Sequence, residues 1–209
     1  MDNEKLVLHY QELLSKHGNT AKTLQHFDEY SQGERFRILT SVIDVMSFSV
    51  LDVGCGLGHL ASFLNNTKKK FNYLGTDIVP EFVSLSKENF KSYPNIQFEH
   101  KDVFETDQMN GENLHDYVIM CGIFNNKMDD NWIFLTEALQ KAYKMANKAV
   151  AVNLLSTYVD YQDKDLYYCD PLQIFDYCKK SVSKKVSLRH DYIVKKGSVP
   201  YEYTIYLYK

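Results

Sequence analysis

The stretch Val50-Leu51-Asp52-Val53-Gly54-Cys55-Gly56-Leu57-Gly58 decides the fold. Residues 50–53 are apolar apart from one acid, which suits a buried strand. Glycines at alternate positions 54, 56 and 58 then stop it. Leu57, Leu60, Ala61 and Leu64 follow at helical spacing. A glycine turn between strand and helix lets a ligand touch main-chain amides, because no Cβ stands in the way. The turn also sits at the positive end of the helix. Such a corner is a cofactor seat.

The dinucleotide fingerprint is G-x-G-x-x-G. Here the run is G-x-G-x-G, led by Asp52. Residues 52–58 resemble motif I of the class I S-adenosylmethionine (SAM) methyltransferases, and the downstream pattern fits in order and spacing from Val50 to the last residue. The resemblance implies a Rossmann-like α/β/α sandwich. Its seven-stranded sheet is mostly parallel, with the last strand antiparallel, and SAM lies across the carboxyl ends of the first strands. It implies one domain over 1–209, with an N-terminal helical cap at 1–46 and the SAM-binding core at 47–209.

The totals are compatible with this. A chain of 209 residues, 44% hydrophobic, can bury one α/β core. A net charge of −3 gives no general attraction for nucleic acid. No apolar run reaches membrane-spanning length, and the N-terminus lacks the apolar core of a signal peptide. Cys55, Cys121, Cys169 and Cys178 lack metal-ligand spacing and read as free thiols of a cytoplasmic protein. No metal is expected.

Upstream of the corner, residues 4–17, 20–27 and 32–46 read as helical pieces. In similar methyltransferases such helices lie over the cofactor as a lid. Tyr10 then stands as either a pocket or a core residue. Arg35 lies where related enzymes often carry an arginine for the SAM carboxylate, a role that suits a guanidinium's paired donors; the plainer reading is a surface arginine.

Downstream, residues 71–76 form the second strand, ending at Asp77. A carboxylate there accepts hydrogen bonds from both ribose hydroxyls, and the resemblance places Ile78 against the adenine. After the third strand, 96–99, the family pattern gives Asp102 the adenine amino group and Val103 a backbone contact to the ring. After the fourth, 116–120, Cys121 touches SAM through its backbone. Phe124 and Asn125 then line the acceptor side. Enzymes that methylate exocyclic amines of nucleobases carry Asn/Asp-Pro-Pro-aromatic here; Ile123-Phe124-Asn125-Asn126 has no proline, which argues against base methylation.

After the fifth strand, 149–155, an aromatic polar segment offers Tyr158 and Tyr161. With Asn153 they are candidates for acceptor recognition. Strands six and seven are expected at 186–194 and 201–208. His190, inside strand six, and Tyr158 are the candidate catalytic groups. The reading is a SAM-dependent methyltransferase acting on an O or N atom of a small metabolite or sugar-like acceptor. The alternatives are an RNA or protein acceptor, or a module that binds SAM or a nucleotide without catalysis. The sequence leaves the oligomeric state open.

Overall fold

The structure, a computed structural model, describes residues 3–105 and 114–209. Met1 and Asp2, read above for a leader, lie outside them. The seven strands are β1 (Ser47–Val53), β2 (Lys70–Asp77), β3 (Ile96–His100), β4 (His115–Met120), β5 (Ala146–Leu155), β6 (Lys185–Arg189) and β7 (Glu202–Tyr208). They form one sheet in the order β3-β2-β1-β4-β5-β7-β6. β1 to β5 pair in parallel. β7 inserts antiparallel between β5 and β6.

Alternation along the central strands divides the core between two faces. Val50, Tyr117, Ile119, Ala149 and Ala151 point to one apolar cluster. Leu51, Val53, Val118, Met120, Val150 and Val152 point to the other. Helices α2 (Glu29–Leu39), α3 (His59–Asn65) and α4 (Pro80–Asn89) cover the first face. Helices α5 (Asn131–Met145) and α6 (Pro171–Ser181) cover the second. This is a Rossmann-like three-layer sandwich.

The helices start where local chemistry allows. Asp28 accepts the Ser31 amide while its own amide is accepted by the Ser31 hydroxyl, a capping box opening α2. Asp170 caps α6 ahead of Pro171, whose missing N–H costs nothing in the first turn. α2 ends at Leu39, seven residues short of the expected limit. The Thr40 and Ser41 hydroxyls bond back to the Phe36 and Ile38 carbonyls, and a 3-10 turn replaces the helix there.

The N-terminal helix α1 (Asn3–His17) has no fully buried residue. Val7, Tyr10 and Leu14 pack on Leu57, Val79 and Phe82 at the mouth of the sheet. Gln11 reaches Glu81 of α4 at 2.9 Å. The 3-10 turn Ala21–Leu24 carries the chain on to α2.

A buried ion pair ties α2 to the far side of the sheet. Arg35 Nε donates to both oxygens of Glu202 at 2.8 and 3.1 Å. Both side chains are buried. Burial raises the Glu202 carboxyl pKa, and the Arg35 charge opposes that shift. Removing one partner strands the other charge, which costs far more than replacing both by apolar groups. Glu202→Ala should therefore lose about 3–5 kcal/mol of stability in chemical denaturation, and the double variant Arg35→Met/Glu202→Leu should recover most of it. A double variant no better than the single one contradicts the pairing.

Candidate functional site

A cleft of about 1050 Å³, counting its open mouth, lies over the carboxyl ends of β1 to β4. The strand order sets its floor. Asp102 and Val103 follow β3, Asp77 and Ile78 end β2, the glycine corner follows β1, and Cys121 follows β4; all line the cleft. Asp52, Gly54, Cys55 and Gly56 do too.

The corner is tightly built. Gly54 and Gly56 hold φ of 70° and 54°, a region that disfavours side chains. The Gly54 and Cys55 amides donate to the Thr76 carbonyl at 2.8 and 3.0 Å. The Gly56 amide donates to Asp77 Oδ2 at 2.8 Å, and the Val79 amide to Oδ1 at 2.9 Å. Each oxygen keeps a lone pair for a ligand. Burial raises the Asp77 pKa, while the Val79 and Gly56 amides oppose the shift. Beneath it, the Tyr73 hydroxyl donates to Asp52 at 2.6 Å. Burial pushes Asp52 up to about 7, against the Tyr73 hydrogen bond and with help from the Asp77 charge. Asp102 accepts the Phe104 amide at 2.8 Å and the Asn3 amide group at 3.3 Å.

The roof comes from the N-terminal segment. Asn126 donates to the Tyr10 hydroxyl, which donates to Gln25, both at 3.1 Å. Burial pushes Tyr10 up to about 12. Leu24 sits over Gly56, where an added Cβ would come within 2.6 Å of it. His26 and Gln32 complete this side. Arg35 donates to His26 Nδ1 at 3.1 Å. Burial, then the Arg35 and His59 charges, lower His26 to about 3.

Several expected site residues lie elsewhere. Arg35 is not among the described residues lining the cleft: its guanidinium is engaged by Glu202, His26 and Tyr201. The cofactor-carboxylate role expected of it is corrected accordingly. Asn153 is fully buried and accepts the Gly122 amide at 2.8 Å, so it shapes the β4 loop instead of facing a ligand. Phe124 packs in the core against Phe134, ring centres 5.2 Å apart. The Asn125 backbone joins Gly122 and Tyr167, and its side chain does not line the cleft. Tyr158 and Tyr161 are 59% and 76% exposed, outside the cleft. β6 ends at Arg189, so His190 is not a strand residue; its ring lies 5.7 Å from Tyr203 and 6.2 Å from Tyr158. Neither candidate catalytic group borders the cleft. Gln32 and Asn126 also line the cleft; neither belongs to a sequence motif, and only their place in the roof marks them.

Glycines at a strand-to-helix corner, an acid on the next strand tip and apolar residues beyond suit a nucleoside-cofactor enzyme. The family described as methyltransferase domain matches residues 50–161. A curated protein of Mycobacterium tuberculosis, named "Putative methyltransferase Rv1506c", is 33% identical over 168 residues, covering 78% of this chain and 93% of the relative. The chain therefore belongs to the class I SAM-dependent methyltransferases, and SAM is its cofactor. Among solved structures, the CurJ carbon methyltransferase has a TM-score of 0.69 at 14% identity, matching all of this chain and 61% of its own. The N-methyltransferase NodS of Bradyrhizobium japonicum, solved with S-adenosylhomocysteine, has a TM-score of 0.67 at 10% identity over 96% of this chain and 98% of its own. The small RNA methyltransferase HEN1 has 0.66 at 14% identity over 86% of this chain and 25% of its own. At such identities these three share the fold alone.

The cleft fits SAM on its own chemistry. An adenosine offers hydroxyl and amino donors to the acids Asp77 and Asp102 that line the cleft. Asp77→Ala should weaken S-adenosylhomocysteine by about 1–3 kcal/mol in calorimetry; unchanged affinity would put the ribose elsewhere. Asp52 also predicts a pH signature. Its folded pKa, about 7, lies above the unfolded value of 3.8. Its stabilising contribution is thus full below the lower value and lost as pH rises through the upper one. Wild-type stability should fall across that window relative to Asp52→Asn, measured by denaturation at several pH values. A constant gap contradicts a raised carboxyl.

Proposed function

We propose that this methyltransferase acts on an O or N atom of a small-molecule acceptor, a metabolite or sugar-like compound. The observation that carries the reading is the roof: Tyr10 and Leu24 reach from the N-terminal segment onto Asn126 and Gly56, covering the cleft. A cleft partly covered by the chain's own N-terminal segment favours a compact acceptor. The net charge of −3 adds no field that would draw nucleic acid. We assign residues 1–209 to one methyltransferase domain, with 1–46 as cap and 47–209 as core. The four cysteines, all free, support a cytoplasmic setting. Among the described residues no helix is long and apolar enough to cross a membrane.

Bound SAM supplies a methyl group on a positively charged sulfur. In this reading the chain's own residues position and desolvate. Asp77 takes the ribose hydroxyls, Ile78 and Val103 flank the adenine, and Asp102 takes its amino group. The Cys121 backbone and the glycine corner hold the sulfur end. An in-line displacement needs acceptor, methyl and sulfur collinear in a dry site. The two titratable roof groups are poor bases. Tyr10 stays protonated, and His26 has Nδ1 taken by Arg35. The acceptor must therefore arrive with its lone pair free, as an amine or an acidic hydroxyl does.

The test incubates the protein with methyl-labelled SAM and a cell extract, then separates products by size. Label in the small-molecule fraction is expected. Label confined to RNA or protein overturns the acceptor class.

A further inference from the structure

The polar groups of the cleft are sorted by position. Asp102 and Asp77, at the β3 and β2 tips, offer acceptors at one end. The other end, toward β4, is roofed by the chain around α2. That helix bonds to β7 through Arg35, whose charge also reaches Cys121 after β4. Here Gln32 and His26 face the cleft.

Gln32 is 5% exposed, and its amide nitrogen has no hydrogen-bond partner among the described residues. A buried, unsatisfied donor in an otherwise well-paired roof calls for a ligand acceptor. His26 points the same way. Its Nδ1 accepts from Arg35, so in the neutral ring the proton sits on Nε2. Two donors thus stand at this end, with a guanidinium directly behind one of them.

We propose that Gln32 and His26 bind a carboxylate, that of the amino-acid end of SAM, with Arg35 as a positioning residue acting through His26. This rests on the SAM reading of the cleft. The arrangement explains why Arg35 need not touch the cofactor: its Nε is held by Glu202 and its terminal nitrogens by His26 and Tyr201, and it fixes the His26 tautomer. A carboxylate on the methyl acceptor is the other source of the same chemistry, and the test separates the two.

S-adenosylhomocysteine and methylthioadenosine share adenosine and thioether, but only the first has the amino-acid end. Calorimetry compares both ligands on the wild type, Gln32→Leu and Gln32→Glu, with thermal unfolding to confirm that each variant is folded. The expected result is an S-adenosylhomocysteine Kd about tenfold weaker in Gln32→Leu, and weaker still in Gln32→Glu, with methylthioadenosine unchanged. Unchanged S-adenosylhomocysteine affinity overturns the proposal, leaving the amide to the acceptor or to no ligand. Equal weakening of both ligands overturns it too, since the effect would not belong to the carboxylate. A wild type that binds neither nucleoside would instead strike the cofactor assignment.

Discussion

The Asp77 carboxylate, accepting the Gly56 and Val79 amides, is the constraint on which the site depends. One side chain ties the corner after β1 to the tip of β2 and the start of α4. An ionised acid buried this deeply is costly unless its oxygens are hydrogen-bonded. The two amides supply those bonds, and they come from the segments that must be held. The same residue also lines the cleft. The proposed binding role would therefore share one group with a structural one, and the left-handed glycines at 54 and 56 let the backbone curl around it.

A polarity follows from the strand order. The sheet sets acids under one end of the cleft, while the N-terminal segment brings donors over the other. On the proposed reading, a cofactor with hydroxyl and amino donors at one end and a carboxylate at the other would lie with its adenosine toward the acids and its sulfur toward the glycine corner and Cys121. On that reading catalysis would need alignment and exclusion of water, which suits a cleft whose roof groups Tyr10 and His26 are held as hydrogen-bonding partners.

The fold was largely legible from the chain, because sheet strands write themselves as local apolar runs. Residues 116–120 and 149–155 were found within a few positions of β4 and β5. The corner was legible too, since glycine spacing is local. What failed was long-range pairing. Arg35 reads as available for a ligand until Glu202, 167 residues later, is folded against it. His190 reads as a strand residue from its alternating neighbours, but β6 stops at Arg189. Asn153 and Phe124 occupy positions beside the site in sequence, yet both side chains are buried in the interior. Gln32 carries no motif; only an unpaired buried nitrogen, a property of the folded roof, singles it out.

The most direct measurement is a crystal structure with S-adenosylhomocysteine bound. Its ribose hydroxyls should lie on Asp77, its adenine between Ile78 and Val103, and its chain over residues 54–56. A ligand lying in the reverse direction, or seated away from that corner and carboxylate, would contradict this placement.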